Sequence, residues 1–238
     1  MRFAAALLAS LAAIAAVPAQ AQAVVVHVEE WVEIGGQRFV EAPATRAETR
    51  AVAAYGPFRV LDGQTAALVG VTDDASPKQF AAMMRDFPQI ARLEMLECPG
   101  TEDDLANLRL GRMIRAAGLA TVVPAGGSVR SGGVELFLAG ATREAADGAE
   151  FAVHAWEDED GRQASDFPPS APQNAKYLAY YREMGMSAEQ ARAFYSMTNA
   201  TPFESARWLG GAEMRRWLAE DAKAVPAIAY LDLGPALN

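Results

Sequence analysis

The chain has 238 residues, with 30 acidic against 21 basic side chains and a formal net charge of -9. That balance, with no basic stripe along the chain, argues against nucleic acid and anionic lipid surfaces as partners. A single cysteine, Cys98, excludes an internal disulfide and any cysteine-cluster metal site, and two histidines, His27 and His154, keep the search for a catalytic base short.

The amino terminus reads as an address. Met1, Arg2 and Phe3 make a short basic start, residues 4–17 are an apolar run with the one small polar residue Ser10, and Pro18 breaks it. Ala19-Gln20-Ala21 then offers small residues at signal-peptidase spacing, and Ala21-Gln22-Ala23 is an equal frame one step on. A signal peptide over 1–21 or 1–23 is expected, and a periplasmic or secreted product. The run is shorter than the roughly 18 to 20 residues that span a bilayer. No cysteine follows it to carry a lipid, so no membrane attachment is expected after cleavage. In an oxidising compartment an exposed thiol is a liability, so Cys98 is expected to be buried. Residues 24–41 alternate, with His27, Glu29, Trp31 and Glu33 between Val26, Val28, Val32 and Ile34, and Gly35-Gly36 turns the chain. This is a two-strand hairpin pattern with His27 on the polar side. A polar link rich in Ala and Thr completes an appendage over 24–54, and one α/β domain is expected over 55–238.

From Phe58 strands and helices alternate. Segments 58–61 and 66–71 read as strands about the turn Asp62-Gly63. Ser76-Pro77 opens a helix to about Phe87, with proline at the first helical position. A strand over 91–98 stops at Pro99-Gly100. Thr101-Glu102-Asp103-Asp104 resembles a capping box in which Thr101 caps and Asp104 reaches back. The helix it starts sets Leu105, Leu108, Met113 and Ile114 on one face, and Gly118 ends it. A strand over 120–124, a small-residue turn over 125–128, a short apolar helix over 131–140 and a strand over 151–156 follow. Strands alternating with crossover helices imply a largely parallel sheet covered on both faces. Beyond an acidic, proline-rich loop over 157–172 the chain reads as mainly helical to Asp221, with a last strand over 228–233. Tyr177, Tyr180, Tyr181, Met184 and Met186 recur at helical spacing and are expected to pack on the sheet or on a second subunit. The acidic run 157–160 followed by Gly161 carries oxygen ligands, but its spacing matches no calcium loop and it reads as a solvated loop.

Two readings compete at each candidate for chemistry. His154 lies near the end of an apolar strand, where a histidine serves either as a core-edge side chain bonded to a carbonyl or as a base. Ser131 opens a helix behind a glycine-rich turn. Serine there is an ordinary cap. It is also presented where free N–H groups and the helix dipole favour developing negative charge, with Gly132 and Gly133 leaving room beside it.

The order of three segments bears on that choice: LEMLECPGTEDDLANLRLGRMIRAAGLATVV, then AGGSVRSGGVELFLAG, then GAEFAVHAW. In this order they resemble the core of the Clp-protease/crotonase superfamily, and most of all a branch of exported Clp-like proteins. The resemblance covers about residues 58–156 well and the helical remainder more loosely. It implies an α/β superhelix of βαβ units with a mostly parallel sheet, here carrying an N-terminal β-hairpin and C-terminal helices. It implies Ser131 as nucleophile and His154 as base, with Cys98-Pro99-Gly100-Thr101 at the oxyanion motif. Backbone N–H groups of Gly132 and of Gly100 or Thr101 would then hold the oxyanion. The family's acidic third member is missing from SMTNATPFESARWL; Asn199 is the first substitute, Thr201 the next, and Asp158 and Asp166 are more distant ones.

Three positions depart from the family pattern. Thr101 replaces the second glycine of the oxyanion motif, Arg130 precedes the nucleophile, and Glu135 stands where the family is apolar, to pair with Arg130 or Arg143 or to oppose an oxyanion. The implied activity is an ATP-independent serine hydrolase for peptides or small acyl substrates, without cofactor or metal, as a homo-oligomer. The competing reading keeps the fold around a degenerate site, as a periplasmic binding or scaffold protein. An acyl-CoA enzyme of the crotonase type suits the fold but not the compartment.

Overall fold

The computed structural model describes residues 51–158 and 160–224, with side chains to residue 219. The expected signal peptide, His27 and its hairpin, and the strand over 228–233 lie outside the described residues.

Three short strands open the fold as an antiparallel meander: β1 (Ala53–Tyr55), β2 (Phe58–Val60) and β3 (Thr65–Val69). The β2–β3 turn forms at Asp62-Gly63 because Asp62 Oδ1 accepts from the N–H groups of Gln64 and Thr65, both at 2.8 Å. β1 lies at the end of the stretch that reads as a linker. Its Ala-Ala-Tyr sequence has no period of its own, and it is a strand because β2 supplies the partner.

The next strands run parallel: β4 (Arg92–Cys98), β5 (Ala120–Val123), β6 (Ser128–Arg130), β7 (Thr142–Ala145) and β8 (Glu150–Val153). β4 is the pivot. Its first half, Arg92 to Glu94, pairs with β5, and its end, Glu97 and Cys98, pairs with β6. β7 continues beyond β5, and β8 beyond β6. The sheet therefore divides at the turn between β5 and β6, where Gly127 packs so closely that a Cβ would lie 2.9 Å from the Met95 carbonyl oxygen. Neither β6 nor β7 shows in the sequence pattern, because Ser128-Val129-Arg130 and Thr142-Arg143-Glu144-Ala145 carry no apolar run. β9 (Arg207–Gly210) closes the far edge antiparallel to β8, inside the segment that reads as mainly helical.

Among the described residues six α-helices cover the sheet: α1 (Ser76–Asp86), α2 (Asp104–Ala116), α3 (Gly132–Leu138), α4 (Pro172–Glu183), α5 (Ala188–Thr198) and α6 (Gly211–Ala224). The architecture is mixed α/β with a mostly parallel sheet, as the sequence implies. The cap of α2 differs from the expected box: Asp103 caps it, accepting from the Ala106 N–H at 2.9 Å. Thr101 is taken by a β-bridge to Thr72, with its hydroxyl on the Thr72 carbonyl. The buried stripe of α2 is Asn107, Leu108, Leu110, Gly111 and Ile114, and Leu105 falls outside it, 69% exposed.

The core gathers Leu93, Met95, Phe137, Phe151, Tyr180, Tyr181 and Phe194 between sheet and helices, each side chain of this size contributing about 1.5–3 kcal/mol by leaving water. Tyr177, Tyr180, Tyr181, Met184 and Met186 are all buried within the chain's own core. Gly111 makes room for Tyr180, whose hydroxyl would sit 1.9 Å from a Cβ there and which donates to the Glu135 carbonyl at 2.7 Å. This contact ties α4 to α3 across α2. Cys98 is buried, and burial pushes its thiol far above the ordinary range.

Candidate active site

Ser131 joins β6 to α3 with φ 46° and ψ −126°, and it is the sole non-glycine residue with positive φ among the described residues. Such a conformation costs on the order of 1–3 kcal/mol and persists only where the surroundings impose it. They do so at both peptide groups. The Ser131 N–H donates to the Ala152 carbonyl on β8 at 2.9 Å, and its carbonyl accepts from the Val134 N–H at 2.9 Å. The hydroxyl does not cap α3, so the ordinary reading of a serine at a helix start does not describe this one. Ser131 instead lines a cavity.

Glycines make the approach close. A Cβ on Gly100, whose φ is +140°, would lie 3.1 Å from Ser131 Cβ; one on Gly132 would lie 2.6 Å from Thr101 Cγ2. Gly100, Thr101, Ser131 and Gly132 therefore form one cluster. Because the Ser131 carbonyl points into α3 toward Val134, the Gly132 N–H of the same planar peptide points the opposite way, out of the helix start. Thr101 is oriented by its bridge. The Gly100 carbonyl and the Glu102 N–H bond to Thr72 on one side, which turns the Thr101 N–H to the other. That is the side of β6, since β4 lies between β3 and β6. Two backbone donors thus face the region of Ser131, and Thr101 in place of glycine leaves this arrangement intact.

His154 is the first residue after β8. Its Nδ1 lies 2.8 Å from the Ala155 carbonyl oxygen. A carbonyl only accepts, so Nδ1 carries the proton and Nε2 is left as the acceptor. The Phe203 ring meets the imidazole edge-on at 5.1 Å, and the Ala155 N–H is held by the Thr201 carbonyl at 2.7 Å. Ser131 and His154 line one cavity of about 40 Å³, together with Gly132, Glu135, Asp104, Tyr177, Tyr181 and Asn199.

The structure brings Asn199 to the cavity wall but does not join it to the imidazole. Its Nδ2 donates to the Tyr195 carbonyl at 2.8 Å and to Thr198 Oγ1 at 3.1 Å, and its Oδ1 is buried without a partner. The other substitutes lie elsewhere. Asp158 accepts from the Asp160 and Arg162 N–H groups, and Asp166 from the Gln163 N–H. Arg130 turns away from the pocket into an ion pair with Glu97. Arg143 donates to the Leu138 and Met184 carbonyls. Glu135 has neither expected arginine; its Oε1 accepts from the Tyr181 hydroxyl at 2.7 Å, and burial raises its carboxyl to about 7.

Asn107 is the residue that sequence reasoning missed. Fully buried, it accepts from the Thr72 hydroxyl at 3.0 Å and donates to the Gly132 carbonyl at 2.7 Å. It thereby pins the Thr72–Thr101 bridge to the start of α3. A polar side chain inside the apolar stripe of α2 was the available signal. The acidic loop is held by Asp158 and Asp160 on Arg162, and no cluster of metal-ligating side chains occurs among the described residues.

No family model matches the chain, and no curated protein does. Solved structures do resemble it. One is the 1510-N membrane-bound stomatin-specific protease in complex with a substrate peptide, at 17% identity and TM-score 0.43, covering 62% of this chain and 70% of that one. A second structure of that protease gives 16% identity and TM-score 0.42 over 62% and 74%. ClpP1 from Listeria monocytogenes gives 15% identity and TM-score 0.44 over 66% and 88%. At such values the likeness reaches no further than the mixed α/β architecture. Among the described residues no helix is long and apolar enough to cross a membrane.

Proposed function

We propose that this chain is an exported, ATP-independent serine hydrolase of the Clp-like kind, acting on peptides or related acyl compounds. The observation that carries the reading is the backbone of Ser131: a strained, positive-φ serine whose hydroxyl is not used as a cap, in one cavity with an imidazole. Ser131 Oγ attacks the substrate carbonyl while His154 Nε2 takes its proton. The tetrahedral oxyanion forms where the N–H groups of Gly132 and Thr101 converge. His154 then returns the proton to the leaving group, and water repeats the sequence on the acyl-enzyme. The Ala155 carbonyl holds the Nδ1 proton and fixes the tautomer, the part the family gives to a carboxylate. A neutral carbonyl stabilises the imidazolium less than a carboxylate would, which suits a slow hydrolase. Asn199 lines the same wall and stands beside the base as a further polar group. Export rests on the amino-terminal pattern of the sequence, and assembly into a homo-oligomer on the family resemblance.

A fluorophosphonate probe tests this directly. Wild type acquires one adduct on Ser131, and Ser131→Ala acquires none. Correctly folded wild type that stays unlabelled overturns the hydrolase reading in favour of a binding or scaffold protein on the same fold.

A further inference from the structure

We propose that the cavity beside Ser131 is a subsite for a primary ammonium group, so that the hydrolase favours lysine as the residue whose carbonyl is attacked. The inference rests on Ser131 being the nucleophile. Glu135 follows Ser131 by four residues, on the same face of α3, and both line the cavity. Its carboxyl makes no ion pair among the described residues: Arg130 is engaged by Glu97, and Arg143 is directed to backbone carbonyls. The carboxyl is met by two hydrogen-bond donors, the Tyr181 hydroxyl on Oε1 at 2.7 Å and its own backbone N–H. A second acceptor in the wall, Asn199 Oδ1, is buried and has no donor. An unpaired buried acceptor costs about 1–3 kcal/mol, so Asn199 Oδ1 next to a carboxylate in the same wall marks a place short of a donor.

Charge decides what kind of donor. The remaining carboxylate in the wall, Asp104, accepts from the Tyr177 hydroxyl and has Lys176 Nζ at 4.0 Å. Lys176 is itself held over the Trp156 and Tyr177 rings, at 5.8 and 4.9 Å from their centroids. That lysine offsets Asp104 and leaves Glu135 without a counter-charge. Trp156, Tyr177 and Tyr195 supply aromatic walls, a setting that tolerates the alkyl stem of a lysine and favours its cationic head. Because Glu135 Oε1 is already taken by the Tyr181 hydroxyl, the carboxylate is not free for the two-pronged fork of a guanidinium and suits a compact ammonium with its stem along these rings. Burial raises Glu135 to about 7, so the subsite gains its charge as pH rises through neutrality.

The test compares diphenyl phosphonates of three tripeptides, Ala-Ala-Lys, Ala-Ala-Leu and Ala-Ala-Glu, each of which loses phenoxide as Ser131 Oγ bonds to phosphorus. Labelling rates are followed by intact mass. The lysine probe labels wild type about tenfold or more faster than the leucine probe, and the glutamate probe is slowest. In Glu135→Gln the lysine-to-leucine ratio falls toward one. Wild type alone gives an independent reading: that ratio rises between pH 6 and pH 8. Labelling by all probes with no lysine preference, or a preference unchanged in Glu135→Gln and flat with pH, overturns the subsite and leaves the nucleophile standing. Folded protein that no probe labels, the simple fluorophosphonate included, overturns the nucleophile and the subsite with it.

Discussion

Replacing Glu135 by glutamine isolates the cost of a carboxylate in the wall of this cavity. Glutamine keeps the size and keeps an oxygen for the Tyr181 hydroxyl, which sits 2.7 Å from Glu135 Oε1. What it removes is the ionisation, which burial displaces from an ordinary 4.5 to about 7, with Asp104 adding to the rise. At about 1.36 kcal/mol for each tenfold change in proton affinity, that displacement corresponds to about 3 kcal/mol. Access of water from the cavity trims it to about 1–3 kcal/mol. A carboxyl that is easier to protonate in the folded state favours folding while it is protonated. Wild type therefore loses this stability as pH rises from about 4.5 through about 7, and is level in this respect above that. Glu135→Gln has no such loss. Urea unfolding of both proteins at pH 5 and pH 8 gives the difference at each pH. The advantage of the variant is expected to be about 1–3 kcal/mol larger at pH 8. An advantage equal at both pH values, or larger at pH 5, refutes the claim that Glu135 is a buried acid without a counter-charge.

Further expectations concern the nucleophile and its supports. Ser131→Gly relieves the positive φ that Ser131→Ala retains, so the glycine variant is expected to be more stable than the alanine variant by about 1 kcal/mol, both unlabelled by fluorophosphonate; thermal unfolding of the pair checks it. Asn107→Ala removes the side-chain donor to the Gly132 carbonyl and leaves the Thr72 hydroxyl only its 3.3 Å bond to the Gly100 carbonyl; it is expected to cost about 1–3 kcal/mol, with slower labelling of Ser131 in protein that remains folded. Gly100→Ala places a Cβ 3.1 Å from Ser131 Cβ at a φ of +140°; it is expected to slow labelling by at least tenfold, measured as the second-order rate.

What could be read in advance followed the length and period of each element. α1, β4 and α2 are long enough to show a face, and Pro77, Pro99 and Gly118 punctuate them. Strands β1, β6, β7 and β9 are short and carry no strand pattern of their own, unlike the equally short β2, β5 and β8, and each exists because a neighbouring strand offers a ladder. The cap of α2 moved from Thr101 to Asp103 for the same reason: a bridge to Thr72, 29 residues back, claimed the threonine first.

The site divides along the same line. Which residues could do chemistry was a matter of scarcity and order, since His154 is one of two histidines and Ser131 sits between two glycine-rich motifs in the order of a known core. How they act belongs to the tertiary structure. Only packing could place the Ala152 carbonyl to hold the Ser131 N–H in its strained turn, bring His154 and Ser131 to one cavity, and send Arg130 to Glu97 instead of Glu135. Local sequence specifies torsional preference and hydrophobic period, which act over a few residues. Partners for a charge or a backbone group are settled among groups distant in the chain, by which of them the folded sheet brings within a hydrogen bond's reach.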